Sequence, residues 1–513
     1  MKNTLATALL LVGLAVPAVQ AADMTVAVQR VPDTLDPILE NSNVSQRIIF
    51  SIYDTLLKVD YRHGGKLVPN LAESWSQIDA RTVEFKLKHG VHFHNGAQLN
   101  AADVVFTFSP QRIGQDDAAL GDAGTAVSKP FLSGIKSVEA VDPYTVRITM
   151  KNDDALILQR FANYPSQIVS KAEFDKAGSY AAFASHPVGT GPYAFKEFVA
   201  GERVVIEKFD DYFAADKGAA DEVTFTVVPE IVTRIAGLRS GQFDMITEVS
   251  PDHIDEINGA SGTSTVGGPV LNIRGLIYDS TNETLDDARI RQALNLSIDR
   301  VALTKALYGD QTSVPNGWQM DVFGDMYLAD RPLPEFNLEK AKALLKEAGY
   351  DGEEIEYRTQ NAYYTNQIET AQVLVSMWKK AGLNIKLAVK ENWTQVVEDN
   401  ESRHIFDGSF SAYYPDPMGQ FWRRFGPDGG WATNKYYVVS PDMIALGNTL
   451  ATEADTAKRR VVFADMLDRF ETDPNGTPLH KLTQIYGVRT GTTYDPLPTE
   501  YLDLTTSSLT LEK

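Results

Sequence analysis

From Asn337 to Val389 the sequence alternates two hydrophobic periods in a fixed order, and that order limits the possible folds more than any other feature. Ala341, Leu344, Leu345 and Ala348 recur at the three-and-four spacing of one helical face. Asn337 stands where a capping side chain accepts backbone N–H groups, and Gly349 where a left-handed residue ends a helix. A strand is expected around 355–358, then a helix over about 365–381 closed by Gly382, then the alternating strand of Leu383, Ile385, Leu387 and Val389. Helix, strand, helix, strand in such short succession predicts an α/β layer with mostly parallel strands. Upstream, Ile290, Ala293, Leu294, Ile298 and Val301 read as one more amphipathic helix.

The earlier part of the chain is richer in strands and turns. Residues 24–29 read as a first strand, followed by turns at Pro32 and Leu35-Asp36-Pro37, and 48–57 has helical spacing. Residues 81–87 alternate cleanly, Asn95-Gly96 is a hairpin-type turn signal, and 138–150 alternates on both sides of Asp142-Pro143. Strands are expected at 204–209 and 222–228, with a helix over 230–240 stopped by Gly241. The stretch HPVGTGPY, 186–193, suits a crossing between lobes; as a phosphate cradle it fails, because Pro192 removes a backbone donor. His92 and His94 lie two apart with no third ligand nearby, which reads as a structural turn and not a metal site.

A chain of 513 residues exceeds what one hydrophobic core serves, so two or three lobes are expected. The start, with Lys2, an apolar run from Leu5 to Val16 and small residues at Val19-Gln20-Ala21, reads as an export signal over 1–21 cleaved after Ala21 or Ala22. No later stretch approaches the ~20 apolar residues of a membrane-spanning helix. Cysteine is absent, which removes both a lipidated cysteine and any disulfide scaffold. A net charge of −20 without a basic cluster excludes nucleic acid as a partner. The expectation is an exported, unanchored, monomeric protein of the periplasm.

Several segments then fall into a family order: Leu35-Asp36-Pro37, Leu71-Ala72-Glu73-Ser74-Trp75, Gly90-Val91-His92-Phe93-His94-Asn95-Gly96 with Ala102-Asp103-Val104, and Pro187-Val188-Gly189-Thr190-Gly191-Pro192-Tyr193. Arg291-Gln292-Ala293-Leu294, Ile298-Asp299-Arg300 and 341–349 continue it. Across essentially the whole mature chain this pattern resembles the family 5 extracellular solute-binding proteins, the dipeptide- and oligopeptide-binding type that feeds ABC importers. The resemblance implies an α/β fold: a three-lobed periplasmic binding protein clamp (type II, cluster C-like), with mixed sheets flanked by helices and an extra outer domain. By segment order lobe I is 22–64, 187–273 and 484–513, lobe II is 65–186, and lobe III is 274–483. It also implies a small-molecule ligand closed between lobes I and III, delivery to the permease subunits of an ABC importer, no cofactor, no metal and no catalysis.

The segment 408–424, GSFSAYYPDPMGQFWRR, mixes rigid aromatic faces with charged tips and reads as a ligand-facing wall. In peptide-binding members the matching segment carries an aspartate for the peptide's α-amino group, whereas here Tyr413 stands at that position, with Asp416 as a neighbouring substitute. Trp393, Tyr413, Tyr414 and Trp422 offer flat faces for a sugar ring; Arg358, Gln360, Asn361, Asp416 and Arg423 offer partners for its hydroxyls or a carboxylate, and Tyr363 can enter the cleft. The expected ligand is a saccharide or sugar conjugate, opine-like conjugates included, with a short peptide as the alternative. From another class, an exported glycoside hydrolase would need Asp416 and a second acid across the cleft.

Overall fold

The computed structural model describes residues 22–39, 42–113, 129–361 and 363–512, and the expected export signal lies outside them. Ten strands form one continuous mixed sheet. In spatial order they are Ile385–Lys390, Ile355–Gln360, Ile405–Ser411, Thr263–Tyr278, Gly476–Arg489, Met245–Ile246, Met24–Val28, Glu222–Val227, Arg203–Lys208 and Tyr193–Val199.

Thr263–Tyr278 and Gly476–Arg489 are long enough to belong to both halves of that sheet. They run antiparallel side by side; the first also pairs with Ile405–Ser411 in the far half and the second with Met245–Ile246 in the near half. Their register slips between Pro269 and Ile273 and again between Arg274 and Gly275. Pro269 has no N–H for the ladder, and at Gly267 (φ +114) a Cβ would stand 2.2 Å from the Gln484 carbonyl oxygen, so the pair loses its regularity where the halves meet.

Each part has its own core. Met24, Val26, Ile206 and Phe225 centre the near half; Leu294, Ile355, Trp378 and Ile385 centre one face of the far half. Phe410, Phe421, Phe425 and Phe463 form an aromatic core beside it. A separate antiparallel sheet of Ala72–Gln77, Thr82–Leu87, Thr145–Met150 and Ile135–Asp142 closes over Val83, Phe85, Val146 and Ile148.

Local signals decide most elements. Asn337 caps Leu338–Ala348 through the Lys340 N–H, and Gly349 ends it with φ 75. Three expectations change. The helix read through 290–301 is two, Ala288–Leu296 and Arg300–Tyr308, because the Asp299 carboxylate caps the second through the Ala302 N–H. The helix read over 48–57 is Asn43–Ile52, capped by Ser42, and Leu57 opens a strand paired with Lys66–Pro69. The expected mostly parallel layer is mixed. Ile355–Gln360 runs parallel to both its neighbours, but Ile405–Ser411 meets the long Thr263–Tyr278 strand antiparallel.

The glycines of 186–193 serve packing. A Cβ at Gly189 or Gly191 would stand 2.0 Å from the Ile52 and 2.5 Å from the Ser51 carbonyl oxygen, at the end of the Asn43–Ile52 helix. His94 holds this loop: its Nδ1 accepts from the Gly189 N–H at 3.3 Å and its Nε2 donates to the Gly191 carbonyl at 3.0 Å. That arrangement needs the neutral ring, and burial pulls the His94 pKa down to about 4. Both nitrogens are thereby committed to backbone. His92 Nδ1 faces Asp211 at 2.6 Å.

Candidate functional site

The aromatic segment begins as a buried strand, Ile405–Ser411, and leaves it at Ala412 for a tight turn around two prolines. Asp416 sets that turn. One carboxylate oxygen accepts from the Met418 N–H at 2.9 Å, starting the π-helical turn Met418–Trp422. The same carboxylate receives Arg459 in a two-point pair at 2.7 and 2.8 Å, and both residues are buried. Asp416 is therefore consumed by the fold. It is available neither as an anchor for a ligand amine nor as a glycosidase acid.

The turn sets Tyr413, itself buried, beneath Arg423. The Arg423 guanidinium carbon lies 4.0 Å from the centre of the Tyr413 ring and 4.9 Å from that of Phe131. Phe131 and Tyr164 come from the part of the chain around the separate antiparallel sheet, and their rings meet Tyr413 at 5.2 and 5.5 Å. On the near-half side Phe50 stacks on Tyr501 at 4.5 Å, and the Tyr61 hydroxyl donates to Asn163 at 3.3 Å. Beside Arg423 opens a cavity of about 590 Å³ whose walls include Phe131, Arg160, Tyr414, Trp422 and Arg423. Its size lies in the ~300–1,000 Å³ range of small-molecule sites.

The electrostatics of this junction centre on Arg423, which like its neighbour Arg424 forms no ion pair among the described residues. Asp154 pairs with Arg160 in the cavity wall. Arg423 has no carboxylate within 4.0 Å among the described residues, its Nε has no partner, and its one hydrogen bond is a long 3.4 Å contact to the Ser411 carbonyl. Burial, reinforced by the like charge of Arg424, pulls its pKa down to about 9. An incoming anion would relieve both effects.

The remaining residues singled out in the sequence are scattered. Tyr414 and Trp422 share the cavity wall, yet Trp422 is also wedged against the helix Pro441–Thr452, where a Cβ on Gly447 would stand 1.9 Å from its ring. Arg358 is fully buried and holds the 396–402 loop through Glu356, the Glu398 carbonyl, Asn400 and Ser402. It is neither ligand-facing nor solvated. Gln360 is buried and donates to the Glu391 carbonyl, while Asn361 is exposed. Trp393 is 41% exposed, with its ring edge-on to Phe406 at 5.9 Å, because the Asn392 cap starts a helix there and turns it outward. Tyr363 lies at a second seam between the sheet halves, 5.6 Å from the Arg30 guanidinium. Next to it, Glu248 pairs with Arg47 at 2.6 Å and accepts from Thr365 at 3.4 Å.

Residues 66–432 match the model of the bacterial extracellular solute-binding proteins, family 5 Middle, and so span well over half the sequence. The chain belongs to this family. Its three-lobed clamp fold agrees with solved family 5 binding proteins. One is the periplasmic binding protein DppA of Helicobacter pylori in complex with peptide STSA, with a TM-score of 0.85 at 22% identity over 96% of this chain and 99% of that one. Another is AgaA of A. tumefacien R10 in complex with agropinic acid, at 0.82 and 23% over 96% and 99%. The dipeptide-binding protein of Escherichia coli K12 is 29% identical over 414 residues, 76% of each sequence. Family 5 proteins capture small molecules for ABC importers, and among the described residues no helix is long and apolar enough to cross a membrane.

In this family 5 chain, sequence reasoning missed Phe131, Tyr164 and Arg160, which meet the 413–423 turn from far upstream. A tyrosine before a proline and a lone arginine in LILQRFANYP carry no local sign of that meeting.

Proposed function

We propose that this chain captures a short peptide bearing a free carboxylate, closes on it between two lobes, and delivers it to an ABC importer. The carrying observation is Arg423, a desolvated guanidinium without a carboxylate partner among the described residues, set over Tyr413 in the wall of a ligand-sized cavity. A guanidinium binds a carboxylate at two points, and doing so offsets the cost of holding the cation away from water. The E. coli relative's name and the peptide bound to the H. pylori protein support the same class.

The lobes are those drawn from the sequence: 22–64, 187–273 and 484–513 against 274–483, with 65–186 supplying the wall of the Arg423 cavity that faces 274–483. The Arg30–Tyr363 and Glu248–Thr365 contacts bridge the two closing lobes, and a ligand held by both favours the closed form. The saccharide preference loses support. Trp393, though exposed, is not in the wall of the cavity beside Arg423, and Trp422 is committed to packing against the Pro441–Thr452 helix. An opine-like sugar conjugate remains the second reading, favoured by the AgaA complex and compatible with Arg423 because such conjugates carry carboxylates.

Calorimetric titration with di- to tetrapeptides, the same peptides C-terminally amidated, neutral oligosaccharides and opines tests this. Free-acid peptides are expected to bind at least roughly tenfold more tightly than amides, the difference vanishing in Arg423→Gln. Tight binding of a neutral oligosaccharide with no response to peptides would refute it.

A further inference from the structure

Left-handed backbone is rare away from glycine, and in this protein it marks one place twice. Three non-glycine residues among the described residues have positive φ: Glu248 (φ 54), Asn366 (φ 52) and Lys435 (φ 60). The first two face each other across the second seam. Glu248 belongs to the near half, Asn366 follows Thr365 in the far half, and the Thr365 hydroxyl donates to Glu248. Asparagine tolerates this conformation; glutamate does not favour it, and such strain persists where the surroundings over-determine it, often at switch regions.

Each side is locked by its own lobe. The neighbours of Glu248 are tied to backbone: the Thr247 N–H donates to the Ala27 carbonyl at 3.1 Å and the Val249 N–H to the Ile485 carbonyl at 3.0 Å. Arg234 donates to the Glu248 carbonyl at 3.4 Å. Held this way, Glu248 receives the buried Arg47 on Oε1 at 2.6 Å and Thr365 on Oε2 at 3.4 Å. Across the seam the Tyr308 hydroxyl donates to the Thr365 carbonyl at 3.0 Å, Asn366 Nδ2 to the Leu307 carbonyl at 2.7 Å, and Gln367 Oε1 accepts the Tyr363 and Tyr364 N–H groups at 3.1 Å. Two rigid loops therefore meet through one long carboxylate–hydroxyl bond beside the Arg30–Tyr363 contact. Neither Glu248 nor Thr365 lines the cavity beside Arg423. A bond made only when the lobes are together favours the closed form whatever the ligand, and one this long is readily broken on opening.

We propose that Glu248 and Thr365 form a ligand-independent latch, with Glu248 the positioning residue that sets how often the empty protein closes. The latch then scales the affinity for every ligand by one factor, because apparent affinity follows the fraction of protein in the binding-competent form. This rests on the closure of 22–64, 187–273 and 484–513 on 274–483.

The chain has no cysteine, so Val232→Cys and Val461→Cys, exposed on the helices Ile231–Ser240 and Thr456–Thr472, place one dye on each lobe. Single-molecule energy transfer on the whole chain, freed of co-purified ligand by unfolding and refolding, reads the closed-to-open ratio. Thr365→Val keeps the side-chain shape and the Tyr308 bond to its carbonyl, and is expected to lower that ratio roughly three- to tenfold. Calorimetric affinities for trialanine, trialanine amide and octopine are expected to fall by the same factor as one another, and Thr365→Ser, which returns the hydroxyl, to restore both readouts. A merely structural role would move neither. An unchanged ratio in Thr365→Val would overturn the latch, and that comparison requires no ligand. Unequal losses across the three ligands would make Thr365 a ligand contact and overturn it too, as would a Thr365→Ser shift as large as that of Thr365→Val. A single transfer efficiency in the unaltered protein, with and without each ligand, would instead remove the lobe closure on which the latch rests.

Discussion

Asp416→Ala separates a residue that builds the site from one that reads the ligand. The carboxylate is 4% exposed and Arg459 5%, and they meet through two charge-assisted hydrogen bonds at 2.7 and 2.8 Å. The substitution strands the guanidinium, which keeps only the Leu450 carbonyl at 2.9 Å, and removes the acceptor of the Met418 N–H. Breaking a buried pair from one side costs about 3–5 kcal/mol and an orphaned buried donor about 1–2 more, so a loss on the order of 4–7 kcal/mol is expected. Replacing both members, Asp416→Leu with Arg459→Met, removes the stranded charge and is expected to return most of that stability. Urea unfolding followed by circular dichroism measures this, with ligand titration on the folded fraction at low temperature. Asp416→Ala unfolding within about 1 kcal/mol of the unaltered protein while losing ligand more than tenfold would show that the acid faces the ligand and does not hold the fold.

Other substitutions divide the same segment. Tyr413→Ala removes the ring beneath Arg423 and is expected to weaken ligand binding roughly tenfold or more, whereas Trp393→Ala leaves affinity unchanged in the same titration. Gly447→Ala drives a methyl into Trp422 and is expected to lower stability by about 1–3 kcal/mol in thermal unfolding, with the cavity wall displaced. Burial lowers the pKa of His480 to about 3 and that of His94 to about 4, so both are neutral when folded while the unfolded chain protonates them near 6.5. Their contribution is complete above pH ~6.5 and is lost as pH falls, by about 1.4 kcal/mol per unit for each down to its folded pKa. Urea midpoints from pH 7 to 4.5 show that slope, and His480→Gln reduces it.

What was legible in the sequence was what neighbouring residues decide. Asn337, Gly349, Gly241 and Gly382 end or begin helices through their own backbone and side chains, and the structure keeps each of them. The single helix over 290–301 failed for an equally local reason, since Asp299 is a cap inside an apolar period that runs straight through it. The site divides differently. The 408–424 segment was readable as unusual, and it holds Tyr413 and Arg423. Which of its charges are free depends on Arg459, forty-three residues away, and on Phe131 and Tyr164 from a different sheet. Glu248 in DMITEVSP reads as an ordinary surface acid until Arg47 and Thr365 meet it. Arg358 deceived in the opposite sense: an arginine near a strand end reads as solvated or ligand-facing, and only the returning 396–402 loop makes it a core residue.

The most direct measurement is a crystal structure of the chain with the ligand it carries from its own periplasm, identified by native mass spectrometry of the same sample. A short peptide with a carboxylate oxygen about 2.7–3.2 Å from the Arg423 guanidinium is the predicted result. A neutral saccharide, or any ligand leaving Arg423 without an anion, would contradict it.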